Sequence, residues 1–317
     1  MLKNKKIYLA GHNGHVGKAI LKKLKLLGYK HILTANRKKL DLTNQRKVFK
    51  FLKKNKPYFV IIAAARVGGI VANNKYRAEF IYENLSIQNN LIHGSYINGI
   101  KNLIFLGSSC IYPKSSKQPI KESYLLSDYL EKTNEPYAIA KIAGLKMCEN
   151  YSTQYNLNYK TLMPCNSYGE NDNYDSKNSH FIPALIKKII EAISKNKGHI
   201  TLWGNGKSLR EVIFSEDVAL ACNFFLKKKT KEKIFNIGTG IDFSIEHYAK
   251  AIMKHMNVKL KIVYDKTKPN GTFKKLLDSS SAKKYGWEYK TNFEKGISIA
   301  INDYLKNHLK KKYKNFK

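Results

Sequence analysis

The sequence predicts an α/β protein built on a doubly wound parallel sheet, with a smaller α/β domain towards the C-terminus. Short apolar runs alternate with segments of helical periodicity, and the first apolar run ends in a glycine-rich turn. At 317 residues, the chain can form one large unit or two unequal domains. We expect residues 1–165 to form the larger domain and 166–317 mainly the smaller one, with about 199–240 partly returning to the larger domain.

The first predicted strand, residues 6–10, is followed by the turn GHNGHVG and then by a helix that ends near Gly28. Gly11 permits a tight turn, Gly14 lets a pyrophosphate approach the backbone, and Gly17 lets the helix pack closely. The start of the helix offers backbone N–H groups and the positive end of its dipole. This order of elements predicts a Rossmann-type dinucleotide site.

The second predicted strand, residues 31–35, runs into Asn-Arg-Lys-Lys instead of the acidic residue that binds an NAD ribose. Arg37 suits a 2′-phosphate, so we predict NADPH/NADP as the cofactor. The alternative is that these cations belong to a lysine-rich surface. Asp41, followed by Leu42, is positioned to accept a hydrogen bond from the adenine amino group.

Two further strands, residues 58–63 and 102–107, bring small and polar side chains to the same edge of the predicted sheet. Ala64 and Ala65 follow the first of them and would let the backbone pass close to a cofactor. Ser108 and Cys110 follow the second. Because the carboxyl ends of parallel strands carry the site, we place both side chains beside the cofactor.

Tyr137 and Lys141 lie four residues apart in a predicted helix, so they share one face. A fixed ammonium lowers the pKa of a neighbouring phenol, which is near ~10 in isolation. Such a pair, with Ser108, can deliver a proton to a carbonyl oxygen. The alternative is a solvated lysine one turn from a packed tyrosine.

The formal charge of +35 arises from 58 Lys and Arg against 23 Asp and Glu. The lysines are spread over most predicted helices, and no zinc-finger or RNA-binding motif accompanies them. We therefore expect no specific nucleic-acid partner, although the field would attract an anionic substrate.

The four cysteines have no CxxC spacing, so we predict neither a metal site nor disulfides. The sequence has no long apolar run, and the first residues lead directly into a strand without an apolar leader. We expect no membrane insertion and a cytoplasmic location.

Several segments, together with the glycine turn, resemble the extended short-chain dehydrogenase/reductase family. Within it they are similar to the enzymes that 3,5-epimerise and 4-reduce GDP-4-keto-6-deoxy-mannose with NADPH. The likeness spans nearly the whole chain. It is carried by AAARVGGIVANN (63–74), FLGSSCIYPK (105–114), TNEPYAIAKIAG (133–144), NSHFIPALIKK (178–188) and LWGNGKSLREVIF (202–214).

The resemblance implies catalytic roles for five residues. Cys110 would act as the base and His180 as the acid in epimerisation, whereas an inert cysteine and a loop-ordering histidine are the alternatives. Tyr137 would donate the proton in reduction, with Ser108 bound to the carbonyl and Lys141 bound to the nicotinamide ribose.

The resemblance also implies binding contacts. The expected substrate contacts are Ser108, Ser109, Cys110, Asn166, Lys188, Trp203, Arg210 and Asp278. A surface lysine and a packed aromatic are the alternatives for Lys188 and Trp203. The expected cofactor contacts are Gly11, Asn13, Gly14, His15, Val16, Gly17, Arg37, Asp41, Leu42, Ala64, Ala65, Tyr137, Lys141, Pro164, Asn166 and His180.

Three residues depart from the family pattern. Asn13 stands where relatives often carry a basic residue for the 2′-phosphate, which places more of the NADPH preference on Arg37. Cys165 and Glu170 differ from the commoner P-T-N and Y-G-P forms beside the expected sugar pocket. These departures leave open a GDP-4-keto-6-deoxy-heptose C4 reductase, with or without epimerase activity, that serves capsule or lipopolysaccharide synthesis.

A third possibility is a dinucleotide-sensing regulator without activity. Such proteins usually lose the tyrosine or the lysine, and this chain has both. The resemblance further implies a homodimer that pairs through the helix of Tyr137 and Lys141.

Overall fold

The computed structural model of this chain describes residues 2–175, 179–268 and 272–309. Asn178, the first residue of the family-like segment 178–188, lies outside the described residues. The strands are β1 (Ile7–Ala10), β2 (Ile32–Leu33), β3 (Phe59–Ile62), β4 (Asn102–Leu106), β5 (Asn158–Pro164), β6 (Asn166–Tyr168), β7 (His199–Trp203), β8 (Leu209–Phe214), β9 (Ile234–Ile237), β10 (Asp242–Ser244) and β11 (Lys261–Asp265).

Ten helices accompany these strands in the described ranges. They are α1 (His15–Leu26), α2 (Gln45–Asn55), α3 (Ile70–Lys75), α4 (Arg77–Ile97), α5 (Glu135–Tyr155), α6 (Phe181–Ser194), α7 (Ser215–Lys227), α8 (Ile245–His255), α9 (Ser280–Lys284) and α10 (Phe293–His308).

Six strands form one parallel sheet in the order β2-β1-β3-β4-β5-β9. The chain leaves β1 towards β2 on one side and returns to β3 on the other, so the strand order reverses between β1 and β3. A crevice at such a switch point is where doubly wound sheets bind ligands. The predicted α/β fold with a parallel sheet is confirmed.

Both faces of this sheet are buried, because its side chains alternate between two hydrophobic clusters. Ile7 and Leu9 belong to the cluster under α1 and α7, whereas Tyr8 and Ala10 belong to the cluster under α2 and α4. This alternation explains why the strands are nearly continuous apolar runs in the sequence.

A smaller region contains two more sheets and a third hydrophobic cluster. β10, β8 and β6 form a three-stranded sheet, and β11 pairs with β7. The third cluster joins apolar side chains of α6, α8 and α10. α7 and β9 lie between these elements in sequence but pack with the large sheet. The domain boundaries given above stay a prediction.

Some predicted elements are shorter or longer in the structure. The second strand, predicted over residues 31–35, is reduced to Ile32–Leu33 because it is an edge strand that pairs only with Ile7 and Tyr8. The sequence also predicts a helix over about residues 80–98, and the structure forms it as α4, which begins at Arg77. None of the helices in the described ranges has the length and apolar character needed to span a membrane.

Candidate active site

A cleft of about 540 Å³ opens at the carboxyl ends of β1 and β3, at the switch point of the sheet. Its walls are the glycine turn after β1, the segment after β2 and the small residues after β3. Eight of the predicted cofactor residues line it: Gly11, Asn13, Gly14, Arg37, Asp41, Leu42, Ala64 and Ala65.

The glycine turn is packed too closely for larger residues. Gly11 has φ +87°, and a Cβ atom there would lie 2.4 Å from the backbone nitrogen of Ala64. A Cβ on Gly17 would lie 2.0 Å from the carbonyl oxygen of Gly11. Gly17 therefore lets α1 pack closely against the glycine turn itself.

Gly14 lies directly before α1 and has no side chain that could cap the helix. A Cβ there would meet no atom closer than 3.5 Å, so the space in front of the helix is open. The first N–H groups of a helix have no partner within it and suit an anion. The turn therefore fits the pyrophosphate of a dinucleotide.

His15 and Val16, also predicted to contact the cofactor, turn their side chains away from this cleft. The Nδ1 atom of His15 lies 3.1 Å from the carbonyl oxygen of Glu170, and its Nε2 atom lies 3.3 Å from the Oγ atom of Ser167. Burial lowers the pKa of His15 to about 4, so its ring is neutral at pH 7. Val16 packs against a hydrophobic cluster.

Arg37 and Asp41 line the far end of the cleft. The side chain of Arg37 is 75% exposed, so its guanidinium is accessible. The Oδ1 atom of Asp41 accepts hydrogen bonds from the backbone N–H (3.0 Å) and the hydroxyl (2.8 Å) of Thr43. These bonds lower the pKa of Asp41 and fix its carboxylate.

Ser108 ends the segment after β4 and begins a short 3₁₀ turn, Ser109–Ile111. Its hydroxyl oxygen accepts a hydrogen bond from the backbone N–H of Cys110 at 3.2 Å. This turn brings the hydroxyl and the partly buried thiol to the carboxyl end of β4. Ser109, predicted to contact substrate, is only 4% exposed.

Tyr137 and Lys141 lie in the first two turns of α5, and Pro136 occupies the first turn, where a proline is tolerated. The ammonium of Lys141 donates a hydrogen bond to the carbonyl oxygen of Leu106 at 2.7 Å. It also lies 5.8 Å from the ring centroid of Tyr137. The pair is thereby fixed at the end of β4, next to Ser108.

The expectation that Lys141 lowers the pKa of Tyr137 is wrong in this structure. Burial raises the pKa of the phenol, Cys110 raises it further, and only the side chain of Ser108 acts in the opposite direction. Burial also lowers the pKa of Lys141 to about 7, so the lysine is only partly charged at neutral pH. Desolvation outweighs the charge interaction that the sequence pattern indicates.

Arg210, on β8, reaches the same place from the smaller region. Its Nη1 atom donates hydrogen bonds of 2.7 Å to the carbonyl oxygens of Leu209 and Thr272. Burial lowers the pKa of the guanidinium, and Cys110 opposes that shift. The thiol of Cys110 therefore interacts electrostatically with both Tyr137 and Arg210.

His180 immediately precedes α6, and its residue is exposed. Desolvation of the ring lowers the pKa of His180, Asp172 raises it, and His15 lowers it. Asp172 is buried, its Oδ2 atom has no hydrogen-bond partner, and its own pKa is raised by burial to about 6. A carboxylate therefore acts on the ring predicted to be the acid.

Lys188 and Trp203 are neighbours on α6 and β7. The Nζ atom of Lys188 donates a hydrogen bond to the carbonyl oxygen of Thr201 at 2.9 Å and lies 5.9 Å from the ring centroid of Trp203. The Trp203 residue is 48% exposed. The exposed indole can stack on a base, and the neighbouring ammonium can bind a phosphate.

Asp278 lies on a segment that the buried carboxylate of Glu211 anchors. Glu211 accepts hydrogen bonds from the backbone N–H groups of Gly240 (2.7 Å) and Leu277 (2.9 Å). Burial raises the pKa of Glu211 to about 7. The Oδ1 atom of Asp278 accepts a hydrogen bond from the backbone N–H of Ser280 at 2.9 Å.

The remaining predicted residues follow β5. Pro164 ends that strand, and the side chain of Asn166 donates a hydrogen bond to the backbone oxygen of Glu211 at 3.0 Å. Cys165 is buried at 6% exposure within a hydrophobic cluster, and the carboxylate of Glu170 pairs with Lys22 at 2.5 Å. The two sequence departures therefore do not by themselves enlarge a sugar pocket.

Three residues that the sequence analysis did not single out belong to the site. Arg66 lines the cleft directly after β3, where the strand-end argument could have found it. Glu83, on α4, and Asp172, in the loop after β6, gave no signal, because only the fold brings them to the site. Among the described residues, no group of His, Cys, Asp and Glu side chains could hold a metal ion.

The fold, the glycine turn and the Ser-Tyr-Lys arrangement define a dinucleotide-dependent enzyme of the extended reductase type. The sequence profile of the NAD dependent epimerase/dehydratase family matches residues 7–238. The chain belongs to this family.

Individual relatives narrow the comparison. The chain is 46% identical to GDP-L-fucose synthase of Sinorhizobium fredii (strain NBRC 101917 / NGR234), over 97% of this chain and 98% of the relative. It is 41% identical to GDP-L-fucose synthase of Escherichia coli (strain K12), over 96% and 98%. A solved GDP-mannoheptose C4 reductase from Campylobacter jejuni with NADP bound superposes with a TM-score of 0.88 at 36% identity, covering 96% and 99%.

Proposed function

We propose that this protein is a GDP-L-fucose synthase that uses NADPH to 3,5-epimerise and 4-reduce GDP-4-keto-6-deoxy-mannose. One observation carries the proposal: Ser108, Cys110, Tyr137 and Arg210 converge where β4 ends, beside a cleft that fits a dinucleotide. The identity to two GDP-L-fucose synthases over nearly the full chain supports the substrate.

The cofactor assignment follows from the lining of the cleft. The glycine turn and the start of α1 would hold the pyrophosphate, and Arg37 would meet the 2′-phosphate. Lys141 would hold the nicotinamide ribose. When bound, NADPH supplies the hydride for C4 of the sugar.

Epimerisation uses the acidity that a C4 ketone gives to the hydrogens on C3 and C5. The thiolate of Cys110 removes one such proton, and the electron pair moves into an enolate whose oxygen Ser108 and Tyr137 can bind. His180 then returns a proton to the opposite face of the same carbon, which inverts the centre. Solvent exchange restores the thiolate and the imidazolium before the second centre reacts.

Reduction places a negative charge on the C4 oxygen, and Tyr137 donates the proton that neutralises it. Because burial raises the pKa of Tyr137, the phenol keeps its proton throughout the physiological range. Lys141 hydrogen-bonds to Leu106 beside it, and its positive charge can stabilise the phenolate until solvent returns the proton.

Substrate binding is assigned to the smaller region. Arg210 lies near Cys110 and would meet the sugar or the diphosphate, whereas Lys188 and Trp203 form a cation and aromatic pair suited to the diphosphate and the guanine. Asp278 would contact the substrate from its anchored segment. Ser109 and Asn166 would act mainly through their backbone, because Ser109 is buried and the Asn166 amide is already bonded.

A C4 reductase for a GDP-4-keto-6-deoxy-heptose is the second candidate. The observation that favours it is the close superposition on the Campylobacter jejuni heptose reductase. A product of this kind would enter a capsule or a lipopolysaccharide. The departures at Cys165 and Glu170 add nothing to this candidate, because one is buried and the other pairs with Lys22.

The decisive experiment gives the purified protein NADPH and either GDP-4-keto sugar in deuterated water. We expect oxidation of NADPH with the hexose and deuterium at C3 and C5 of the product by NMR. In the Cys110→Ser variant, the label at both carbons should be lost. Turnover of the heptose alone would establish the second candidate, and no turnover with either would refute both.

We also propose a homodimer and a cytoplasmic location. The resemblance supports pairing through α5. Light scattering of the purified chain tests the dimer, and fractionation of the source cells tests the location.

A further inference from the structure

Two guanidinium groups stand at one wall of the dinucleotide cleft. Arg66 and Arg37 both line it, together with Glu83. Among the residues that line the cleft in the described part of the chain, these arginines carry the only permanent positive charges. Asn13 in the glycine turn is neutral, so binding of a 2′-phosphate depends on these arginines.

Glu83 contacts both guanidinium groups. Its carboxylate forms a hydrogen-bonded ion pair with Arg66, and its Oε2 atom lies 3.9 Å from the Nη2 atom of Arg37. The side chain of Glu83 is 20% exposed, so solvent screens its charge only in part. The other carboxylate that faces Arg37, Asp41, is fixed by hydrogen bonds to Thr43.

Arg66 does not depend on Glu83 alone for its position. Its backbone N–H and carbonyl oxygen are both bonded to the amide side chain of Asn84, at 2.9 and 3.0 Å. Its guanidinium also lies over the rings of Tyr76 (5.6 Å) and Phe80 (5.4 Å). Removing the negative charge of Glu83 would therefore leave Arg66 in place.

We propose that Glu83 determines how strongly this site discriminates a 2′-phosphate from a 2′-hydroxyl, by neutralising part of the charge that Arg37 and Arg66 present. A phosphate carries close to two negative charges at pH 7.5, so a carboxylate at this wall repels it while attracting the same arginines. A ribose hydroxyl is uncharged and is little affected. The inference rests on the proposed NADPH dependence.

The test measures binding by calorimetry at pH 7.5 in low salt, with 2′,5′-ADP and 5′-AMP as probes. Glu83→Gln should bind 2′,5′-ADP about three- to tenfold more tightly than the wild type, with 5′-AMP binding changed less than about twofold. Added salt should reduce the gain. Glu79→Gln is the matched control, since Glu79 is exposed on the same helix and lies outside the cleft lining.

Glutamine keeps an oxygen that can accept a hydrogen bond from Arg66, and thermal unfolding checks that the variant is folded. Weaker or unchanged binding of 2′,5′-ADP would overturn the inference, as would an equal gain for both probes. If the wild type prefers 5′-AMP or binds neither probe, the cofactor assignment fails and the inference fails with it. If the wild type prefers 2′,5′-ADP but Glu83→Gln has no effect, the cofactor assignment stands and only the role of Glu83 is refuted.

Discussion

The Nε2 atom of His15 lies 3.8 Å from the Oδ2 atom of Asp172, which links the first helix after the glycine turn to the loop after β6. Asp172 also acts on His180, the proposed acid. Asp303 acts on the same group: it opposes the burial that lowers the pKa of His15 and adds to the burial that raises the pKa of Asp172. The buried carboxylate of Asp172 therefore interacts both with His15, at the start of α1, and with His180, the proposed acid in epimerisation.

We predict that Asp172→Asn lowers the pKa of His180, because the carboxylate that favours its imidazolium is removed. The pH at which deuterium incorporation at C3 and C5 declines should therefore move to lower values. NMR titration of the His180 ring provides an independent measurement. Asp128→Asn, at an exposed turn, should leave the profile unchanged; an identical profile for Asp172→Asn would contradict the assignment.

The lowered pKa of Lys141 predicts that the stability of the protein depends on pH. Burial lowers its pKa from 10.5 to about 7, so between these values the unfolded chain holds a proton that the folded chain has lost. The free energy of unfolding therefore rises with pH in this window through Lys141, and the penalty for burying its charge is complete below pH 7.

Lys141→Met removes that dependence. The free energy of unfolding of this variant, relative to that of the wild type, should decrease by about 2 kcal/mol from pH 7 to pH 9, as measured by urea unfolding. Lys160, whose pKa is also lowered to about 7, is present in both proteins and cancels. Lys146→Met, on the same helix, is the control, and a pH-independent difference for Lys141→Met would show that burial does not shift its pKa.

Tyr137→Phe should reduce the rate of C4 reduction by about two to four orders of magnitude, because the proton donor is lost. Binding of NADP should be nearly unchanged, and deuterium exchange at C3 and C5 should persist. Single-turnover NADPH oxidation and NMR of the sugar measure the two activities. Tyr155→Phe, near the other end of α5, is the matched control. Reduction at the wild-type rate would remove Tyr137 from the mechanism.

Gly17→Ala tests the close packing of the glycine turn. Since the new Cβ would lie 2.0 Å from the carbonyl oxygen of Gly11, the start of α1 must shift. We expect at least a tenfold loss of NADP affinity and a lower melting temperature. Gly198→Ala introduces the same methyl group where no atom lies within 4 Å and should have little effect. Equal affinity in the two variants would exclude the packing role.

Much of the fold could be predicted because its signals are local. The alternation of apolar runs and helical segments, and the turn from Gly11 to Gly17, depend on residues close in sequence. The carboxyl-end rule for parallel strands then places Ser108 and Cys110 beside the expected cofactor.

Other features depend on burial and on distant contacts. The direction of the pKa shift at Tyr137 was predicted wrongly, because desolvation cannot be inferred from a spacing of four residues. The sequence places Cys165 beside the expected sugar pocket but does not indicate that its side chain is buried in a hydrophobic cluster. Glu83 and Asp172 were missed because their partners are brought to them only by the completed fold.

Glu211 has a consequence for cooperativity. Its carboxylate lies on β8, but its hydrogen-bond donors come later in the chain. Gly240 follows shortly after β9, the last strand of the large sheet, and Leu277 lies well beyond it. A chain shortened after Ile237 would retain that acid without those donors, at a high desolvation cost. The N-terminal three-quarters of the chain should therefore not be obtainable as an autonomous fragment, and the full-length protein should melt in a single calorimetric transition.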